Sequence, residues 1–302
     1  MKNNTKFLIL IFFIFFNFFS VLSDEIQFDN IKFEASKIEY LNEKNLIIAS
    51  GNVKVLLDNN TEITAEKSKY DRAKHLLIVE NKVELKDFEN DIYIKSNKIN
   101  YLNKKKILYS DTQTDITFKK KILFNLTSFK YDRNKLILSS ETPSKIIDRI
   151  GNNIQMNEFK FEINNKLIKG KLVNFIDKDK NKDKIKNAII NVDNNSIVGN
   201  DFEIDFYNSL FGDPLNEPRL KSKSVIIEDK NTTLAKAIFT TCKKNNDKCP
   251  PWIMKSEEVF HNKEKKTLNY KNAWLNIYDI PVVYFPKFFH PDPTVKRQSG
   301  FL

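Results

Sequence analysis

Apolar residues recur along this chain on two periods at once. Within short segments they fall at every second position, as in Ile47, Ala49, Gly51, Val53, Val55 or Leu77, Val79, Asn81, Val83, Leu85, which puts them on one face of a β-strand. Between segments the pattern returns about every thirty residues: Tyr40, Tyr70, Tyr101, Tyr131 and Phe161 stand 30, 31, 30 and 30 residues apart. Their surroundings keep the same beat. Seven residues before each anchor come Phe33, Ile63, Ile94, Phe124 and Ile154; seven after come Ile47, Leu77, Leu108, Leu138 and Ile168; fifteen after come Val55, Leu85, Ile116, Ile146 and Ile176. Such self-similarity marks a stacked repeat architecture. Helices would need apolar residues three and four apart; here lysines alternate with Ile, Val, Tyr and Phe, so each unit reads as a pair of strands.

The inward parity changes between the slot five before the anchor (Ala35, Ala65, Ser96) and the slot two before it (Ile38, Ser68, Ile99). An even-period strand cannot carry that change straight through, so a bulge or sharp corner is expected there in every unit. Polar clusters at 42–45, 71–74, 103–106, 132–134 and 164–166 mark hairpin turns. The beat loosens at the charged run from Asp177 to Asn187, which reads as an inserted loop, before strands resume at Ile189 to Val192 and Phe202 to Phe206, with a last unit from Leu220 to Thr240. Stacked hairpins with one apolar face must fold over on themselves to bury it. The expectation is an all-β, antiparallel, V-shaped or flattened β-jellyroll-like solenoid, whose interior is either a dry core or a groove. Its open end strands could recruit another strand.

Composition narrows the setting. Met1 to Lys6 with two lysines, an apolar stretch from Phe7 to Leu22, and Val21-x-Ser23 before Asp24 match a secretory signal peptide, residues 1–23; a retained anchor is the weaker reading because the stretch is short and broken by Asn17. The formal charge is +11, and removing Lys2 and Lys6 leaves about +9, which suits anionic partners such as phosphate-bearing lipids. The same lysines equally fit a general Lys, Asn and Ile bias. They are spread evenly in an exported chain, so no nucleic-acid partner is expected. The two cysteines, Cys242 and Cys249, are expected to form a disulfide in an oxidising compartment; with His75, His261 and His290 scattered, no metal site is expected. No phosphate loop or nucleophile elbow appears, so no catalytic residue and no cofactor are expected.

Two groups of residues carry a family resemblance. Units such as Ile63-Thr64-Ala65-Glu66-Lys67-Ser68-Lys69-Tyr70 and Ala49-Ser50-Gly51-Asn52-Val53-Lys54-Val55 resemble the repeat of periplasmic lipopolysaccharide-transport domains of the organic solvent tolerance (OstA-like) fold. Cys242, Cys249-Pro250-Pro251-Trp252, Tyr270-Lys271-Asn272-Ala273, Pro281 to Pro286 and Lys296 to Leu302 resemble the junction where the outer-membrane lipopolysaccharide assembly family passes from its periplasmic domain into its barrel.

The resemblance implies a periplasmic repeat domain over 24–250, then a junction and first strands of an outer-membrane barrel over 251–302. The family continues for several hundred residues beyond the position matching Leu302, which implies a truncated member. The implied function is lipopolysaccharide transport in periplasm and outer membrane, with acyl chains in an apolar groove. Ile47, Val53, Val55, Leu77, Val79, Val83 and Leu85 are the groove candidates, from a pattern that does not say which face is inward. The strand near Ile26 to Phe33 would pair with the soluble bridge protein of the pathway. A lipoprotein plug would be a partner if the barrel is complete. Pro281 and Pro286 would weaken the barrel seam, since proline donates no ladder hydrogen bond. The alternative function is a soluble periplasmic bridge or scaffold that joins partners by edge-strand addition.

Overall fold

The computed structural model describes residues 24–293 and 295, apart from 59, 149–150, 177–179, 208–216 and 245–249. The expected signal peptide, Cys249 and the 296–302 motif lie outside the described residues. The fold is all-β and antiparallel: the described residues form 23 strands and two single 3-10 turns, Asn42–Lys44 and Asn103–Lys105. The chain meanders, each pass pairing with the one before and the one after, as the short polar turns require.

The parity change does fold every pass. Leu46–Asp58 and Thr61–Asp71 shift register between Ser50 and Val53, and Leu76–Asp87 shifts against both its neighbours before Val83. The extra residues adopt left-handed backbone: Gly51 (φ +75), Asn52, Asn81 and Lys82. Glycine suits position 51 doubly, because a Cβ there would lie 3.0 Å from the Ser36 side chain. Further on the corner sharpens until the strand breaks, giving Ile107–Ser110 then Thr114–Phe118, and Ile122–Leu126 then Phe129–Asp132. Hydroxyls satisfy the freed backbone at these breaks: the Thr112 and Thr142 amides donate to Ser110 and Ser140 Oγ at 3.1 and 3.3 Å.

The corner divides the sheet into two arms facing each other. Residues 53–58, 61–65, 83–87, 92–96 and their successors make the first arm; 46–50, 67–71, 76–80, 98–102 and their successors make the second. Between them runs one continuous core from Ile31 to Ala273. Each second-arm turn holds a non-glycine residue at positive φ, five after the anchor: Asn45, His75, Lys106, Leu136 and Lys166.

Three expectations change. Tyr40 is 39% exposed whereas the other four anchors are buried; among the described residues Lys37–Leu41 pairs with one strand, and Phe28, stacked at 5.6 Å, covers only part of its ring. The charged run is not all loop, for Lys182–Asn191 is a strand. Its lysines at 182, 184 and 186 point outward while Asp183 and Ile185 are buried, so charge masked an ordinary alternation. The beat also persists past Thr240: Trp252–Asn262 and Thr267–Ile277 pair with Asn231–Thr240 and each other, and supply Val259, Leu268, Tyr270 and Ala273 to the same core. Residues 250 and 251 stand just before Trp252–Asn262, which pairs with Asn231–Thr240 in the same sheet.

Candidate functional site

The space between the arms differs along its length. From the first units to residue 133 it is shut. Ile47, Val53, Val55, Leu77, Val79, Val83 and Leu85 all point into it and are 0–1% exposed, packed against one another and against Tyr70, Tyr101 and Tyr131. At the open side of the V a row of polar contacts ties the arms together. Asp29, Asp58 and Asp87 stand at first-arm turns, 29 residues apart. Tyr70 Oη donates to Asp29 Oδ2 at 2.9 Å, Arg133 Nη2 to Asp58 Oδ2 at 2.6 Å, and Tyr131 Oη to Asp87 Oδ2 at 3.1 Å. Asn103 adds a bond to the Asp29 carbonyl at 3.1 Å.

Burial and the adjacent Asp29 push the Tyr70 hydroxyl up to about 12, against the pull of Asn103. Burial works to raise the Asp58 carboxyl, but Arg133 outweighs it and holds the group below the ordinary carboxylate range. All three are charge-assisted contacts; Tyr131–Asp87 is buried, whereas Asp29 and Asp58 keep more than a third of their side chains in solvent, which screens their bonds.

The latch then ends, for a reason visible in the residues. The fifth anchor is Phe161, which has no hydroxyl, and the next first-arm turn carries Lys119, Lys120 and Lys121 where aspartate would be needed. Here the interior opens into an apolar cavity of about 400 Å³, with Ile122, Ile146, Ile154 and Phe175 on the first arm and Ile168, Ile190, Ile197 and Ile227 on the second. Its mouth faces the side of the solenoid between polar turns bearing Asp148 and Asn152 on one lip and Asn195, Lys230, Lys263 and Lys266 on the other. Past Phe175 and Ile227 the space narrows to about 30 Å³ beside Phe202, Ile204 and His261.

Aromatic clusters close both ends. Upstream, Phe124 stacks on Phe159 and Phe161 at 5.5 and 5.6 Å, with Phe118 edge-on to Phe161 at 5.1 Å. Downstream, Phe239 meets Phe206, Trp252 and Tyr270 at 6.5, 6.1 and 6.4 Å. Behind that cluster lie two buried polar pairs, His261 with Asp292 at 2.5 Å and Tyr270 with His290 at 2.8 Å.

The structure therefore brings the seven groove candidates together in the interior but places none of them on the cavity. Its lining comes from later units. The sequence offers one signal, the change from tyrosine to phenylalanine at the fifth anchor; the aspartate beat has no local meaning, because its partners are 41 to 75 residues away.

Pro281 and Pro286 lie in Ile280–Pro291, which pairs with Thr267–Ile277 and has no partner on its other side among the described residues. Pro281 sits at a register shift opposite Asn276, and Pro286 at a break in the pairing beside Asn272 of positive φ, both places where a missing donor costs no ladder bond. At the other end Asp24–Phe28 pairs, among the described residues, only with Ile31–Ala35. Cys242 is half-buried with no disulfide partner among the described residues, its Sγ 3.9 Å from the Trp252 carbonyl.

No family model matches the chain. It is 36% identical over 80 residues to the LPS-assembly protein LptD of Shewanella sp. strain MR-4, covering 26% of this chain and 10% of that protein. It is 33% identical over 81 residues to LptD of Shewanella denitrificans, with 27% and 10% covered. The chain spans about a tenth of the length of these relatives. Among solved structures it is similar to LptH, the LptA-homologous periplasmic component of the lipopolysaccharide transport device of Pseudomonas aeruginosa. That match has a TM-score of 0.31 and 17% identity, covering 36% of this chain and 79% of that one. The resemblance to the lipopolysaccharide assembly family is thus found again in the relatives.

Proposed function

We propose that this chain is a lipopolysaccharide-transport component of periplasm and outer membrane, and that acyl chains lodge between its two arms. The observation that carries this reading is the side-opening apolar cavity of about 400 Å³ with a polar rim, a shape suited to a ligand with greasy tails and a solvated headgroup. Each methylene withdrawn from water contributes about 0.8 kcal/mol, so a dozen supply roughly 10 kcal/mol before ordering costs. The likeness to LptD supports the substrate class.

On this reading the candidates from Ile47 to Leu85 belong to a closed section of the same trough, which must part for a lipid to pass. The unpaired edge at Asp24–Phe28 takes a strand of the bridge protein. Ile280–Pro291, with exposed Ile280, Val282 and Tyr284, leads toward a barrel whose seam Pro281 and Pro286 loosen and whose lumen a lipoprotein plugs. Cys242 and Cys249 pair with each other, or one of them bonds a cysteine of the barrel. The soluble-bridge alternative draws on the same two free edges.

Photo-crosslinking residues at Ile154, Ile190 and Phe175 should capture lipopolysaccharide during transport, while Val198 on the outer face should not. Silence at all three cavity positions would sink the proposal.

A further inference from the structure

In a chain with 29% charged residues, one large outer surface has a charge-free central row with four charged residues on the two rows beside it. On the outside of the second arm, from 187 to 291, adjacent strands align Ile189, Val198, Ile226, Thr233, Phe260, Asn269 and Phe289 in one cross-strand row. Its apolar members are exposed: 43, 49, 46, 36 and 68% for Ile189, Val198, Ile226, Phe260 and Phe289. The outward rows on either side are Asn, Ser, Thr, Ala and Pro, interrupted by Glu228, Glu258, Lys271 and Lys287, of which Glu258 and Lys271 are register partners. The same row upstream carries Lys130, Lys160 and Lys169, and the outer face of the first arm carries Lys182, Lys184, Glu203, Lys221 and Lys255. Depletion of charge with exposed aromatic and branched residues is the composition of an interface core rather than of a solvated sheet face.

We infer that this face docks on the same face of a second copy of the chain. Two arguments choose that occupant. A chain of formal charge +11 repels its own copy except through an uncharged surface, whereas an acidic partner would be drawn to the lysine-rich faces instead. The face is also self-complementary about a two-fold axis running along the row. Ile189, Val198, Ile226, Phe260 and Phe289 then each meet their own counterpart, and the flanking rows exchange so that Glu258 faces Asn262, Lys271 faces Thr267, Lys287 faces Pro291 and Glu228 faces Ser224. No like charges meet.

Seven strands about 4.8 Å apart and a width of about 13 Å give about 440 Å² per copy, the size of a weak, transient contact rather than a permanent one. The two copies run in the same direction with their cavity mouths on opposite sides. This inference does not depend on lipid binding.

Sedimentation equilibrium of the chain tests it with three variants near the row and one control. Wild type should show a concentration-dependent monomer–dimer equilibrium. I226K and I226E should each weaken it at least about tenfold, because like charges meet across the axis, while an equal mixture of the two should recover to within about threefold of wild type. F260K should weaken it as I226K does, and I238K, exposed on the first arm, should leave it unchanged. A wild type that stays monomeric, a mixture no better than its components, or equal disruption by I238K overturns the inference.

Discussion

Tyr131→Phe isolates one bond of the row that ties the arms together. Tyr131 is 0% exposed and its hydroxyl donates to Asp87, itself 2% exposed and otherwise held by Asn90 at 3.0 and 3.1 Å. The substitution removes one oxygen, keeps the ring packing, and leaves a buried carboxylate short of a donor, which costs about 2 kcal/mol for a hydrogen bond to a charged group. With a urea slope of about 3 kcal/mol per molar for a chain of this size, the midpoint should fall by roughly 0.7 M. Asp87→Asn gives the second edge of a double-mutant cycle, and the double variant should lose about 1–2 kcal/mol less than the two single losses added together. Far-UV circular dichroism in urea supplies all four stabilities. If Tyr131→Phe lies within about 0.5 kcal/mol of wild type and the cycle shows no coupling, side-chain packing alone shuts the first units, and the explanation for where the cavity begins fails.

Other consequences are as direct. Tyr70 has its folded pKa raised from 10.0 to about 12, so below pH 10 its contribution is complete, and it is lost as pH climbs through 12 because the unfolded chain releases that proton first; base-induced unfolding followed by tyrosine absorbance should be blunted in Tyr70→Phe over that window. Phe175→Ala should join the two interior spaces it now separates, lower stability by about 2 kcal/mol, and let fluorescent fatty-acid probes bind with a preference shifted to longer chains; an unchanged preference would show that Phe175 is no throat. Gly199→Ala should cost about 1–3 kcal/mol, since its Cβ would lie 2.9 Å from the Asn187 carbonyl and against Ile185, and a thermal melt unchanged from wild type would contradict that packing.

The sequence by itself determined strand, unit length, turn positions and the corner. Each of these is local: alternation at period two fixes which side chains share a face, a polar cluster fixes the turn, and the parity change between Ala65 and Ser68 or Ser96 and Ile99 forces a bend wherever the chain lies in space. The charged residues at 182–186 hid a strand only because lysine was read as loop rather than as the outward half of an alternation.

Tertiary structure alone decided which stretch of the interior is closed. Ile47 to Leu85 and Ile146 to Ile190 follow one apolar pattern, and their one telling difference, Tyr70 against Phe161 at the anchor, has no meaning until the partner of the hydroxyl is known. The closure rests on contacts between residues 41 to 75 apart, Asp29 with Tyr70, Asp87 with Tyr131 and Asp58 with Arg133, which exist only once the corner has brought the arms face to face. A carboxylate at one turn and a hydroxyl two turns later have no interaction in the extended chain; the fold supplies the short distance and, for Asp87 with Tyr131, the burial that make the pair hold, and where phenylalanine and lysine take those two places the arms stay apart.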